Sequence, residues 1–234
     1  DDEMLRENYS DLFSKQGYQV SSFKDRPGAQ QVFSSQLPDL VIVDIGLGDE
    51  VDGGYSLCQW LRQKSRTLPI IFLSARDSDL DIVSGLRMGA DDYVTKDMSL
   101  PHLVARVSAL FRRVEVMAEP DASQKKAIEL GKLRVDELRF SCHWDGQIVE
   151  LTLTEFWMVY SLTKHPGHVK NRQQLMDESH IVVDDATITS HIKRIRKKFQ
   201  KLLESLLLKE KKYYFSVVEE EDMVILKIEV KKKL

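Results

Sequence analysis

Chemically capable side chains sit at the ends of short apolar runs in the first half of the chain. Asp44 closes Leu-Val-Ile-Val, Ser74 follows Ile-Ile-Phe-Leu, Lys96 follows Tyr-Val-Thr, and the Asp1-Asp2 pair precedes an amphipathic segment. Apolar runs of this length, rich in Val and Ile, read as buried parallel strands, and open α/β sheets carry reactive groups just beyond the carboxyl ends of their strands. A carboxylate pair, a nucleophilic carboxylate, a hydroxyl and an ammonium converging on one sheet edge make a phosphoryl-transfer set. The acids hold Mg2+, the metal and the ammonium neutralise phosphoryl oxygens, and the hydroxyl donates to a third. Asp44 alone would read as a capping or solvated carboxylate; the joint arrangement points to phosphoryl chemistry.

A second group of residues has the pattern of a nucleic-acid contact. Residues 187–201 contain Lys193, Arg194, Arg196, Lys197, Lys198 and Lys201 and no acid, the clustering that phosphate binding needs. At helical spacing, Ile188, Ile192, Ile195 and Phe199 form an apolar stripe, Thr187, Ser190, His191 and Arg194 lie opposite, and Lys193, Lys197 and Lys198 flank them. The expectation is a helix that packs by one side and enters a major groove by the other, short polar groups on base edges and cations on phosphates.

A length of 234 residues allows one large domain or two of ordinary size, and 42% hydrophobic content is enough for each of two to bury a core, which favours two domains. The net charge of -3 conceals an asymmetry: residues 1–117 hold 13 Lys+Arg against 18 Asp+Glu, and the remainder 21 against 19. No apolar run reaches the roughly 18 residues of a membrane span and no secretory leader is visible, so a soluble, cytoplasmic, non-membrane protein is expected. Cys58 and Cys142 stand alone and far apart, which favours two reduced, buried thiols over a disulfide or zinc site.

Through residues 1–116, apolar runs at 18–23, 39–43, 69–73 and 92–95 alternate with amphipathic segments, the pattern of an α/β domain with a doubly wound parallel sheet. The chain opens on the helix that normally follows a first, central strand, so a sheet lacking that strand is expected. Residues 117–127 have linker composition. Beyond them, 128–135 and 139–151 read as short antiparallel strands with a hairpin turn at Asp145-Gly146. Thr152 and Glu155 form a capping box opening a first helix, helices follow from about Arg172 and Asp185, and two strands, 213–218 and 223–230, close the chain.

These motifs resemble a known family. Asp-Leu-Val-Ile-Val-Asp44, Leu-Ser74-Ala-Arg and Gly-Ala-Asp-Asp-Tyr93-Val-Thr-Lys96 are similar to the receiver domain of two-component response regulators. The resemblance implies that Asp44 takes a phosphoryl group from a phosphohistidine on a sensor histidine kinase. It also implies that Asp1, Asp44 and the Gly46 backbone carbonyl ligate Mg2+, that Ser74 and Tyr93 form a coupled switch, and that Lys96 binds the phosphoryl group. Leu-Thr-Leu-Thr-Glu-Phe, His-Pro-Gly-His-Val, Arg-Gln-Gln-Leu and the basic helix resemble, in order and spacing, the winged helix-turn-helix of the OmpR/PhoB family. That implies a homodimer paired through the receiver, binding a direct repeat in DNA after phosphorylation. Asp91, Asp92 and Arg106 match charged positions of the pairing surface, with His102 where the family has glutamate.

The departures are specific. Gly48 stands where the family has proline, and Lys96 is followed by Asp97 rather than proline, so the loop holding Lys96 is expected to be arranged differently. The acid preceding Asp1 in the family is not in the sequence, which should weaken Mg2+ binding. The last hairpin has Glu219-Glu220-Glu221-Asp222 in its turn, repulsive to phosphates. A haloacid-dehalogenase-type phosphatase would need an aspartate where Gly46 stands, and no substrate-pocket signature points to any other enzyme. The leading expectation is a phosphorylation-controlled transcription regulator. The alternative is a phosphorylation-independent or inactive interaction module with the same folds.

Overall fold

The runs 41–43 and 70–73 are too apolar to be solvated on either face, and in a computed structural model Val41–Val43, Ile70–Ser74 and Asp92–Thr95 form strands β1, β2 and β3 of a parallel sheet in that order. The structure describes residues 3–47, 49–115, 127–179, 181–210, 214–220 and 223–229, with backbone alone for 79, 112–115 and everything from 206 onward. The chain divides between Val107 and Ser108 into two compact units.

In the first unit, Val43 lies beside Phe72 and Ser74 beside Thr95, so the three parallel strands end on one edge. Every residue of β2 is buried. Around the sheet run α1 (Glu3–Lys15), α2 (Arg26–Phe33), α3 (Gly53–Lys64), α4 (Asp79–Met88) and α5 (Leu100–Glu115). Local chemistry sets their ends. Asp25 caps α2 by accepting the Gly28 N–H at 2.8 Å, and Gly89, at φ 118°, takes the left-handed turn that stops α4. The core joins Val41, Val43, Ile45, Leu57, Leu61, Ile70, Phe72 and Leu86.

One expected strand is absent: residues 18–23 form no ladder. Strand propensity becomes a strand only when a neighbour supplies hydrogen bonds, and among the described residues β1 pairs with β2 alone.

The second unit opens with a four-stranded antiparallel sheet of β4 (Ile128–Leu130), β5 (Leu133–Asp136), β6 (Ser141–Trp144) and β7 (Gln147–Val149). Asp145 (φ 51°) and Gly146 (φ 76°) make the tight turn between the last two. Helix α6 (Leu153–Lys164) begins where the Glu155 carboxylate accepts the Thr152 N–H at 2.9 Å. Then come β8 (Lys170–Asn171), α7 (Arg172–Glu178) with a reciprocal Asn171–Gln174 cap, and α8 (Asp185–Glu210). Residues 201–210, all Lys, Leu or Glu but for Ser205, prolong α8. Strands β9 (Tyr214–Glu220) and β10 (Met223–Glu229) complete a sheet ordered β8-β10-β9.

Candidate functional site

Because β1, β2 and β3 run the same way, the residues that follow or close them meet at one edge. Lys96 Nζ donates to Asp44 Oδ2 at 2.5 Å, with both side chains about one quarter or less exposed. The Lys96 N–H donates to the Ser74 carbonyl at 2.8 Å, which fixes where the lysine leaves the sheet. Ser74 is buried, and its Oγ accepts the Arg76 N–H at 3.2 Å. Tyr93 is buried on β3; its hydroxyl donates to the Arg76 carbonyl at 2.8 Å, and burial pushes the phenol up from its ordinary value. The expected quartet of Asp44, Ser74, Tyr93 and Lys96 is therefore brought together.

Close packing supports this edge from below. Gly54, near the start of α3, lies so tightly under the acceptor loop that a β-carbon would stand 2.0 Å from the Asp44 carbonyl oxygen, and its N–H donates to the Ile45 carbonyl at 2.8 Å. A β-carbon at Gly46 would meet only the Val51 carbonyl oxygen, at 4.0 Å, an ordinary contact. Asp1, the expected metal acid, and Gly48 lie outside the described residues. Among the described residues no three His, Cys, Asp or Glu side chains converge as a metal cage. The Asp44 carboxylate offers hard oxygen donors at the edge, of the kind a small hard cation that keeps several waters takes.

Two participants were missed by sequence reasoning. Arg76 reaches across to Asp52 Oδ1 at 3.1 Å and the Val51 carbonyl at 2.9 Å, tying the loop after β1 to the segment after β2. Nothing in its neighbourhood in sequence signals those partners. Tyr9 on α1 lines with Lys96, Met98 and Leu100 a groove of about 600 Å³ beside the Asp44–Lys96 pair. Its phenol is raised by burial and feels both Lys96 and Asp44.

The charged residues expected on a pairing surface are engaged within the chain. Arg106 Nη1 bonds Asp92 Oδ1 and Oδ2 at 2.9 and 2.8 Å, and Arg62 Nη2 bonds the fully buried Asp91 at 2.6 Å. A buried carboxylate must find a cation or donors wherever it can, and the nearest arginines are its own.

On α8 the expected apolar stripe of Ile188, Ile192, Ile195 and Phe199 is buried. The polar side differs from expectation: Thr187, Ser190 and His191 are buried rather than presented, and two of the cations turn inward. Arg194 Nε lies 3.0 Å from Glu155 Oε1 and Lys198 Nζ 2.5 Å from Glu155 Oε2. Burial alone would push the Glu155 carboxyl up, but Arg194 and Lys198 outweigh it and hold it at about 2. The physical reason for the correction is a second packing partner. Helix α6 inserts a fully buried carboxylate beside α8, and the cations one turn apart on that side are drawn to it. Lys193 and Lys197 remain exposed, with Thr189 half-buried one turn before Lys193 on the same side.

Comparison with known proteins finds a family for each half of the chain. The family described as response regulator receiver domain matches residues 1–108, and the family described as transcriptional regulatory protein, C terminal, matches residues 146–212. The transcriptional regulatory protein CreB of Escherichia coli strain K12 is 34% identical over 194 residues, 82% of this chain and 82% of its own length. The sensory transduction protein RegX3 of Mycolicibacterium smegmatis is 34% identical over 204 residues, 86% of this chain and 88% of its own. A solved structure of a RitR mutant aligns with 97% of this chain and 95% of its own at a TM-score of 0.71 and 20% identity, a likeness of fold.

Proposed function

Since the chain belongs to the OmpR/PhoB family of two-component response regulators, we propose that Asp44 is its phosphoacceptor and that phosphorylation controls DNA binding through α8. The observation that carries this reading is the Asp44–Lys96 pair at the carboxyl edge of the parallel sheet, with Ser74 alongside. Asp44 Oδ attacks the phosphorus of a phosphohistidine on a sensor kinase. The P–N bond breaks, its electron pair stays on the imidazole nitrogen, which takes a proton, and Asp44 becomes an acyl phosphate. Lys96, bonded to Asp44 in the free site, transfers its ammonium to the incoming phosphoryl oxygens, and the Ser74 hydroxyl donates to another. Mg2+ held by Asp44, the Gly46 carbonyl and Asp1 would supply further neutralisation of the transferring group.

Domain limits of 1–116 and 128–234 around a linker, a cytoplasmic site of action and a receiver-mediated homodimer on direct-repeat DNA belong to the same reading. No helix among the described residues is long and apolar enough to cross a membrane. On α8, Lys193 and Lys197 meet phosphates and Thr189 faces the groove, while Arg194 and Lys198 are engaged by Glu155.

The test is phosphate incorporation from acetyl phosphate with Mg2+, read as a mobility shift on a phosphate-retarding gel. A shift that disappears in Asp44→Asn supports the acceptor role. A second reading, a DNA-binding module independent of phosphorylation, draws on Asp97 after Lys96 and on the internal Asp92–Arg106 pair; DNA binding without any mobility shift would select it.

A further inference from the structure

Gly85 lies inside α4, where glycine stabilises a helix less than alanine does. Its surroundings give a reason. A β-carbon at Gly85 would stand 2.8 and 2.9 Å from Cδ2 and Cε2 of Tyr93 and 3.2 Å from Cδ2 of Phe72. Neither ring is a flexible end that could swing aside. Phe72 is fully buried, the two ring centroids are 6.3 Å apart, and Tyr55 packs on Phe72 at 5.4 Å in an edge-on contact. Tyr93 is anchored through its hydroxyl to the Arg76 carbonyl.

That anchor leads to the phosphoryl edge. The Arg76 residue is held at both of its backbone groups: the carbonyl accepts from Tyr93 at 2.8 Å, and the N–H donates to Ser74 Oγ at 3.2 Å. Moving the Tyr93 ring out of its seat breaks the first bond and frees the segment that steadies the Ser74 hydroxyl. We propose that Gly85 is a positioning residue of the phosphoryl site: its missing β-carbon seats the Tyr93 ring, which acts through Arg76 on Ser74. The role rests on the reading of Asp44 as phosphoacceptor; the packing between Gly85 and Tyr93 does not.

A double-mutant cycle of Gly85→Ala and Tyr93→Ala in the full chain tests it, read by melting temperature and by the rate of phosphate uptake from acetyl phosphate with Mg2+. In the presence of Tyr93, Gly85→Ala is expected to slow uptake several-fold and to leave the melting temperature unraised. With Tyr93→Ala, the same change should raise the melting temperature, as alanine in a helix ordinarily does, and leave uptake where Tyr93→Ala alone puts it. Equal effects of Gly85→Ala in both backgrounds, whether favourable or a plain loss of fold, overturn the proposal. A wild-type chain that takes up no phosphate overturns the acceptor reading and the positioning role together, whereas a labelled wild type with an uncoupled cycle overturns the positioning role alone.

Discussion

Replacing Glu155 by Gln should unfold the second unit at a far lower temperature. The carboxyl falls from its ordinary 4.5 to about 2 against the opposing push of burial, a difference worth about 3 kcal/mol of folding free energy at neutral pH. The amide also leaves Arg194 and Lys198 facing a buried group with no charge, and breaking a buried ion pair in this way costs roughly 3–5 kcal/mol. For a domain of this size each kcal/mol moves the midpoint by about 4–8 °C, so the lower figure predicts a drop of roughly 12–24 °C. Tryptophan emission follows it, because Trp144 and Trp157 lie in the core of the second unit. The pH dependence has a definite sign. A depressed carboxyl contributes stability above its unfolded value near 4.5 and loses it as the pH falls toward 2, so the wild-type melting temperature should decline through that window by more than the variant's does. Replacing Glu155, Arg194 and Lys198 together by methionine should restore part of the loss, because neither cation is then left unpaired, while the Thr152 N–H loses its acceptor. A Glu155→Gln midpoint within about 4 °C of wild type, equivalent to about 1 kcal/mol or less, would refute the reasoning.

Lys193→Ala and Lys197→Ala, both at exposed positions on α8, should each flatten the dependence of log Kobs on log salt by about 0.9 for every protomer bound to DNA; a titration showing unchanged slopes would remove these lysines from the phosphate contacts. Gly54→Ala, whose β-carbon would meet the Asp44 carbonyl oxygen at 2.0 Å, should abolish phosphate uptake and disrupt the first unit, as checked by the gel assay and circular dichroism. Normal labelling there would show that the acceptor loop does not pass so close to α3. Cys142, buried and pushed up to about 12, should resist a thiol-specific reagent at mildly alkaline pH in a Cys58→Ser background and react fully once the chain is denatured. Rapid native labelling would contradict the packing of β6 against the core.

Strand-end chemistry was legible in the sequence because burial on both faces demands unbroken apolar runs, and parallel strands necessarily end on one edge. Asp44, Ser74 and Lys96 could be placed together from that logic alone, and the 3.6-residue period located the apolar stripe of α8 equally well. The same period is silent about a second neighbour. A helical wheel separates apolar from polar, but whether the polar side meets water or a buried carboxylate on another helix depends on the tertiary contact. Glu155 was visible only as a capping residue, and its role as partner of Arg194 and Lys198 arose when α6 packed against α8. Residues 18–23 show the converse: strand-like composition, with no ladder to join among the described residues. Asp91 and Asp92, charged in sequence and assigned there to a surface, were taken inward by Arg62 and Arg106. Periodicity reports what a segment can bury; the tertiary structure decides against what, because a buried charge is settled by whichever opposite charge the fold brings within reach.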